Sequence, residues 1–253
     1  MSIALAQTAQ HSAPGDGNSP VPRIAPPAAG LKLPHGQTLV YDGEWRLWTA
    51  GAASITIEPV GQMQKVTATA NSAGVVSLLF TVKDRFESVF DTRSFCSERI
   101  FKHIEEGSRK RETNIRFDYP RRKAVLDEKN LKNNEPKHAE EDIPGCVTDV
   151  LSGIFYLGSL PLQQGATYVF PLNDGGKTVE VKATVEGREQ IKTAAGTYNA
   201  IRVRTEATTG NLKKRGSIWF WYSDDAARLP IQMRARAFWG TLTLKLARID
   251  KKQ

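Results

Sequence analysis

Val179-Glu180-Val181-Lys182-Ala183-Thr184-Val185 alternates apolar and polar side chains without a break. A period of two sends successive side chains to opposite faces of an extended chain, so this stretch reads as a β-strand with one buried and one wet face. The same pattern recurs outward in both directions. Ile55 and Ile57 alternate with Ser54, Thr56 and Glu58. Val66, Ala68 and Ala70 follow a turn near Pro59 to Gly61. Ile115, Phe117 and Tyr119 alternate with Asn114, Arg116 and Asp118. Ile201 and Val203, then Ile231, Met233, Ala235 and Ala237, then Leu242, Leu244 and Leu246 complete the series. The dense apolar run Val75 to Val82 is expected to be a further strand.

The connections fit hairpins. Asn173-Asp174-Gly175-Gly176, Ala195-Gly196, Gly210-Asn211 and Trp239-Gly240 lie between alternating runs and supply residues that tolerate positive φ. No βαβ rhythm is present, which argues against a parallel sheet. The expected class is therefore mainly β and antiparallel. One segment differs. Val147, Val150, Leu151, Ile154 and Phe155 recur at helical spacing. Pro144 precedes them, Thr148 or Asp149 offers a cap and Gly158 a stop, so a helix of about three turns packed on the sheet is expected.

Ile218-Trp219-Phe220-Trp221-Tyr222 is apolar at every position. As a strand it puts Ile218, Phe220 and Tyr222 on one face and Trp219 and Trp221 on the other, and both faces need cover. The core and the helix can each cover one. Alternatively the helix covers its face in part, and an apolar guest fills the rest.

The 253 residues carry a formal charge of +8, with 40% hydrophobic and 25% charged residues. A sizeable core can form, and no apolar run is long enough to span a membrane as a helix. Basic residues are scattered among acids. The stretch Arg109 to Lys137, rich in Lys and Arg, also holds Glu112, Asp118, Asp127, Glu128 and Glu135. That distribution reads as a solvated face and not as a nucleic-acid site. Residues 1–34 are expected to be an export leader remnant and a disordered tether. Ala4-Leu5-Ala6 has the small-x-small pattern of a signal-peptidase site before Gln7. Six of the 13 prolines then fall between Pro14 and Pro34, where large apolar residues are nearly absent. Residues 35–250 are expected to form a single β domain. Cys96 and Cys146 read as buried thiols in an intracellular protein, and as a disulfide in an exported one.

The chain has no Gly-x-Ser-x-Gly elbow, phosphate-binding Gly-rich loop or paired-cysteine zinc spacing. His138 with Glu140, Glu141 and Asp142 could touch a cation but reads as a solvated loop cluster. Asp224-Asp225 reads as a turn that caps backbone amides. No catalytic residue, metal or cofactor is therefore assigned.

A series of short motifs runs through the chain. Gly43-Glu44 opens it, followed by Asp149-Val150-Leu151-Ser152 leading into Tyr156, and Leu162-Gln163-Gln164-Gly165. Gly187-Arg188-Glu189, Thr193-Ala194-Ala195-Gly196-Thr197-Tyr198, Trp221-Tyr222-Ser223-Asp224-Asp225, Arg228-Leu229-Pro230 and Gly240 complete it. In this order they resemble the bacterial domain-of-unknown-function family 3108, over roughly residues 36 to 249. The resemblance implies an exported protein of Gram-negative bacteria with no established activity. It also implies a strongly curved antiparallel sheet, an open half-barrel similar to periplasmic lipoprotein carriers. With it, the expected function is a non-enzymatic periplasmic or envelope protein that binds a lipid or other apolar ligand in the concave face. Trp45, Trp48, Phe155, Trp219 and Trp221 are the candidate ligand-binding residues. The alternative is an envelope interaction protein that meets a protein partner through sheet edges or exposed aromatics. A third reading is a hydrolase using dispersed carboxylates.

Overall fold

A computed structural model describes residues 23–28, 30–45, 48–74, 77, 80–210, 216–237 and 240–251. Ala4-Leu5-Ala6, most of the Pro-rich stretch, and Asn211 and Trp239 of two expected turns lie outside them. The alternating runs become fourteen strands of one antiparallel sheet, in the order β8-β7-β6-β5-β4-β3-β2-β1-β14-β13-β12-β11-β10-β9. They are β1 (Gln37–Trp45), β2 (Trp48–Val60), β3 (Met63–Ser72), β4 (Lys83–Asp91), β5 (Ser97–Glu106), β6 (Arg109–Asp118), β7 (Lys123–Asn130) and β8 (Pro136–Asp142). After the helix α1 (Ser152–Ser159) come β9 (Thr167–Asp174), β10 (Lys177–Thr193), β11 (Gly196–Ala207), β12 (Ser217–Ser223), β13 (Pro230–Ala237) and β14 (Gly240–Lys251).

Two hairpin meanders, β1–β8 and β9–β14, are joined where the first and last strands pair, from Gln37 opposite Lys251 to Trp45 opposite Leu242. The sheet stays open between β8 and β9. Register shifts at Gly43/Glu44, Val40/Tyr41 and Val185/Gly187 interrupt the ladder, and bulges of this kind bend a strand and increase its twist. At the first of these, Gly51 has φ +152°, and a Cβ there would stand 2.0 Å from the Asn71 carbonyl oxygen, so only glycine fits. The observed half-barrel is thus an open, curved antiparallel sheet with a helix on it.

The connection from β8 to β9 passes inside the curve. It carries α1, whose Phe155, Tyr156 and Leu157, with Leu151 just before it, join one core cluster with inward residues such as Leu39, Tyr41, Ile55, Val181, Val203 and Tyr222. A second cluster, with Ile100, Ile115, Phe117, Leu126 and Val147, lies under β5–β7. Cys96 and Cys146 are joined as a disulfide across the 50-residue separation. Beside it, Thr148 lines the free edge of β9. Its amide donates to the Pro171 carbonyl, and its own carbonyl accepts the Asn173 amide. The outer edge, β8, is charged and exposed and begins at Pro136, a composition that discourages strand addition.

Three expectations change. The helix has eight residues and starts at Ser152. The Asp149 carboxylate holds the Leu151 and Ser152 amides at 2.7 and 3.1 Å, which fixes the chain before the first turn. Gly158 lies within the helix. The stop comes at Leu160, which is extended before Pro161, as a residue preceding proline prefers. Second, β3 ends at Ser72 and β4 begins at Lys83. Of the run between them, Val75, Val76, Leu78 and Leu79 are outside the described residues, and Val82 bridges to Glu106 and exchanges hydrogen bonds with Ser72. Third, residues 23–34 were expected in the tether, but the described ones are docked. The Ala25 amide donates to the Tyr156 hydroxyl at 3.0 Å, and the Ala28 amide to the Ser159 carbonyl. Ile24, Leu31 and Leu33 pack on the core, and these three apolar residues were the signal that the proline count concealed.

Candidate ligand-binding surface

β12 decides where a ligand can go. Its pairing puts Tyr222 opposite Ile201, and Phe220 between Val203 and Met233, all inward. The Tyr222 hydroxyl donates to the Ile154 carbonyl at 2.7 Å, and Tyr41 donates to the Pro230 carbonyl at 2.9 Å. Burial pushes both phenols well above their ordinary range. Phe155 is only 4% exposed and belongs to the same core cluster as Tyr41 and Tyr222. On this side, the concave face is filled by the protein's own side chains.

Trp219 and Trp221 lie on the opposite, outer face. Trp221 is 3% exposed because polar groups enclose it. Its indole N–H donates to Glu189 at 2.9 Å, and the Arg234 guanidinium lies 5.1 Å from the ring centroid, a cation–π geometry. Trp219 is half-buried beside it, cross-strand from Arg204 and Arg234. Together with Glu44, Arg202, Arg236, Thr241, Thr243 and Lys245, the two tryptophans line a groove of about 530 Å³. The aromatic strand therefore gets its second cover from charged side chains, whose alkyl stems shield indole while the heads stay wet. Single-chain hydropathy could not show this, because the covering residues come from β10, β11, β13 and β14.

The other two candidates are elsewhere. Trp45 and Trp48 face each other across the β1–β2 hairpin, and Trp48 is 63% exposed. The five candidates thus occupy three places: the inner core, the outer groove and a hairpin end.

The acidic groups are accounted for locally. His138 contacts Asp127 at 2.7 Å, while Glu140 pairs with Arg121 and Asp142 with Lys123. Among the described residues no group of three or more His, Cys, Asp or Glu is placed to hold a metal. Asp225 accepts from the Ser223 hydroxyl and from the Ala227 and Arg228 amides, which is the turn role expected of it. Against the desolvation that partial burial imposes, Arg188 and Arg228 hold Asp224 below its ordinary value. Asp149 is fully buried, and one carboxylate oxygen accepts from Ser88 (2.5 Å) and Ser97 (2.7 Å) while the other holds two amides. Ser97 and Ser152 share a hydrogen bond, but no histidine joins this set, so the serines serve a structural carboxylate. Buried Lys102 of β5 pairs with Asp174 at the end of β9. Among the described residues no helix is long and apolar enough to cross a membrane.

One solved structure supports the fold. A β-barrel-like protein of domain-of-unknown-function family DUF1849 from Brucella abortus superposes with a TM-score of 0.63 at 10% identity, covering 92% of this chain and 100% of its own. A "putative lipoprotein" from Parabacteroides distasonis gives a TM-score of 0.39 at 12% identity, over 87% of this chain and 98% of that one. A "putative exported protein" with a YmcC-like fold from Bacteroides fragilis gives 0.39 at 10% identity, over 87% and 98%. No curated protein matches the chain. Residues 40–247 match the family described as "Protein of unknown function (DUF3108)", and the chain belongs to that family.

Proposed function

We propose that this protein is an exported, non-catalytic binding component of the Gram-negative cell envelope, and that it engages its ligand through the outer face of β11–β14. The observation that carries this reading is the division of β12. Its inward side is packed against α1, while its outward side opens into the Trp219–Trp221 groove. A lipid under the sheet would have to displace Phe155 and its neighbours, and refilling that space by rearrangement is costly in a close-packed interior. The Cys96–Cys146 disulfide agrees with an oxidising compartment.

Carbene footprinting tests this reading without knowledge of the ligand. The protein would be labelled in its native envelope fraction and again after purification. Protection of segments 217–223, 232–236 and 241–245 in the envelope, lost on purification, is the expected result. Protection confined to α1 and the inner face, or recovery of the protein from the cytoplasm, would overturn it.

A further inference from the structure

We propose that the outer groove is a site for an anionic sugar, a pyranose ring bearing a carboxylate or phosphate. This rests on the reading that ligand meets the outer face, and adds its chemical class. On β11 and β14, Arg202, Arg204, Lys245 and Arg248 each have a carboxylate partner within 3.3 Å. Arg234 and Arg236 on β13 are exposed, and among the described residues neither has a carboxylate within 4.0 Å. Of the four cations that line the groove, Arg202, Arg234, Arg236 and Lys245, they are the two without a carboxylate partner among the described residues. Two positions apart on one strand, they stand about 7 Å apart on one face, so each can take an anionic oxygen from a single extended ligand.

The rest of the lining decides what carries the anion. Across the β13–β14 ladder, Thr243 faces Arg234 and Thr241 faces Arg236, which places hydroxyls beside the guanidiniums. Arg234 also donates to the Thr243 hydroxyl at 3.4 Å, which fixes its direction. Trp219 supplies a half-buried indole in the same groove. A rigid ring, hydroxyl donors and acceptors, and paired guanidiniums match a ligand with an apolar ring face, many hydroxyls and a negative charge. An acyl chain would desolvate the cations without compensation. Single-stranded nucleic acid needs successive stacking platforms, whereas the Trp221 ring is already capped by Arg234. The anionic sugar could belong to a soluble polysaccharide or to a glycolipid head group, and both present the same chemistry to the groove.

Calorimetric titration of the full chain tests this with tetragalacturonate, maltotetraose, inorganic phosphate, a single-stranded oligonucleotide, and phosphatidylcholine vesicles with or without a phosphorylated disaccharide lipid. Binding of tetragalacturonate identifies a polysaccharide source, and binding only of the doped vesicles identifies a glycolipid. In either case Arg236→Gln should weaken affinity about tenfold and Arg234→Gln/Arg236→Gln about a hundredfold, with weakening by added salt. Trp219→Ala should weaken it and Trp219→Phe should restore it. If Trp219→Ala fails to fold, Arg236→Gln still decides, because that side chain is exposed. Equal binding of maltotetraose, tighter binding of the oligonucleotide, insensitivity to both arginine changes, or no acidic sugar bound at millimolar concentration would overturn the proposal. If footprinting protects the outer face while every sugar fails, the face is right and the ligand class is wrong.

Discussion

The ring of Tyr222 occupies the space in front of Gly158. A Cβ added at Gly158 would stand 3.0 Å from one Tyr222 ring carbon and 3.1 Å from another. This close approach lets α1 lie directly on β12, with the Tyr222 hydroxyl reaching the Ile154 carbonyl one turn earlier. In an isolated helix, Gly→Ala stabilises by about 1 kcal/mol. Here Gly158→Ala should instead destabilise by about 1–3 kcal/mol through overpacking. Urea unfolding monitored by circular dichroism gives the sign directly. A stabilised variant would mean that α1 has room to shift outward.

The Asp149 network predicts an ordered pair of effects. Asp149→Ala leaves the Leu151 and Ser152 amides and two serine hydroxyls without their acceptor in a buried site. The cost should be about 3–5 kcal/mol. Asp149→Asn keeps one acceptor oxygen, and the Ser88 and Ser97 hydroxyls can rotate to accept from its amide, so about 1–2 kcal/mol is expected. Equal losses in equilibrium unfolding would show that the negative charge itself matters more than the hydrogen-bond count.

Trp219 and Trp221 should respond differently to truncation. Trp221 is enclosed and hydrogen-bonded, so Trp221→Ala should cost about 3–5 kcal/mol. Trp219 is half-buried in an open groove, and its loss should cost about 1–2 kcal/mol. Denaturant midpoints for the two variants check this. Equal large costs would show that both indoles are structural and that the groove is closed in solution.

Asp84 sets a pH dependence. Desolvation is the main cause that raises its carboxyl to about 6, against the Glu105 amide, which donates to it at 3.0 Å. A folded-state value above the unfolded one means that the folded state binds the proton more tightly between about pH 4 and 6, so this group's contribution falls as pH rises through that window. Asp84→Asn should therefore stabilise the protein by about 1–2 kcal/mol at pH 8 and flatten the profile between pH 4 and 6. An unchanged profile in thermal unfolding would show that water reaches the carboxylate.

The disulfide closes a separation of 50 residues that spans β5 to β8. Chain entropy sets its contribution at about 4 kcal/mol, so Cys96→Ser/Cys146→Ser should lower the denaturation free energy by up to that amount. A loss under about 1 kcal/mol would mean that the reduced unfolded chain is already compact around those strands.

Much of the architecture was legible in the sequence because period-two alternation records a local fact, which side of a strand is wet. Val179 to Val185, Ile201 with Val203, and Leu242 to Leu246 could be placed on their strands, and Ile218 to Tyr222 on its two faces, without any knowledge of neighbours. The helix was legible from its spacing, but its length was not. Asp149 was readable as a cap, but the Ser88 and Ser97 hydroxyls that reach its other carboxylate oxygen from β4 and β5 were not. The docked strap of Ile24, Leu31 and Leu33 was hidden because a Pro-rich segment gains order only when a core end is there to receive it.

What the sequence determined by itself was the class, several of the hairpin turns and the two faces of β12. Which face holds the core, and what covers the other, was decided by the tertiary structure alone. Trp219 and Trp221 are chemically suited to either side of a sheet. The closing pair β1–β14 and the inward path of α1 filled the concave side, and β13 then laid Arg234 over Trp221 on the convex side. The physical reason is that strand register and sheet curvature, which no single segment encodes, choose the neighbours of each indole.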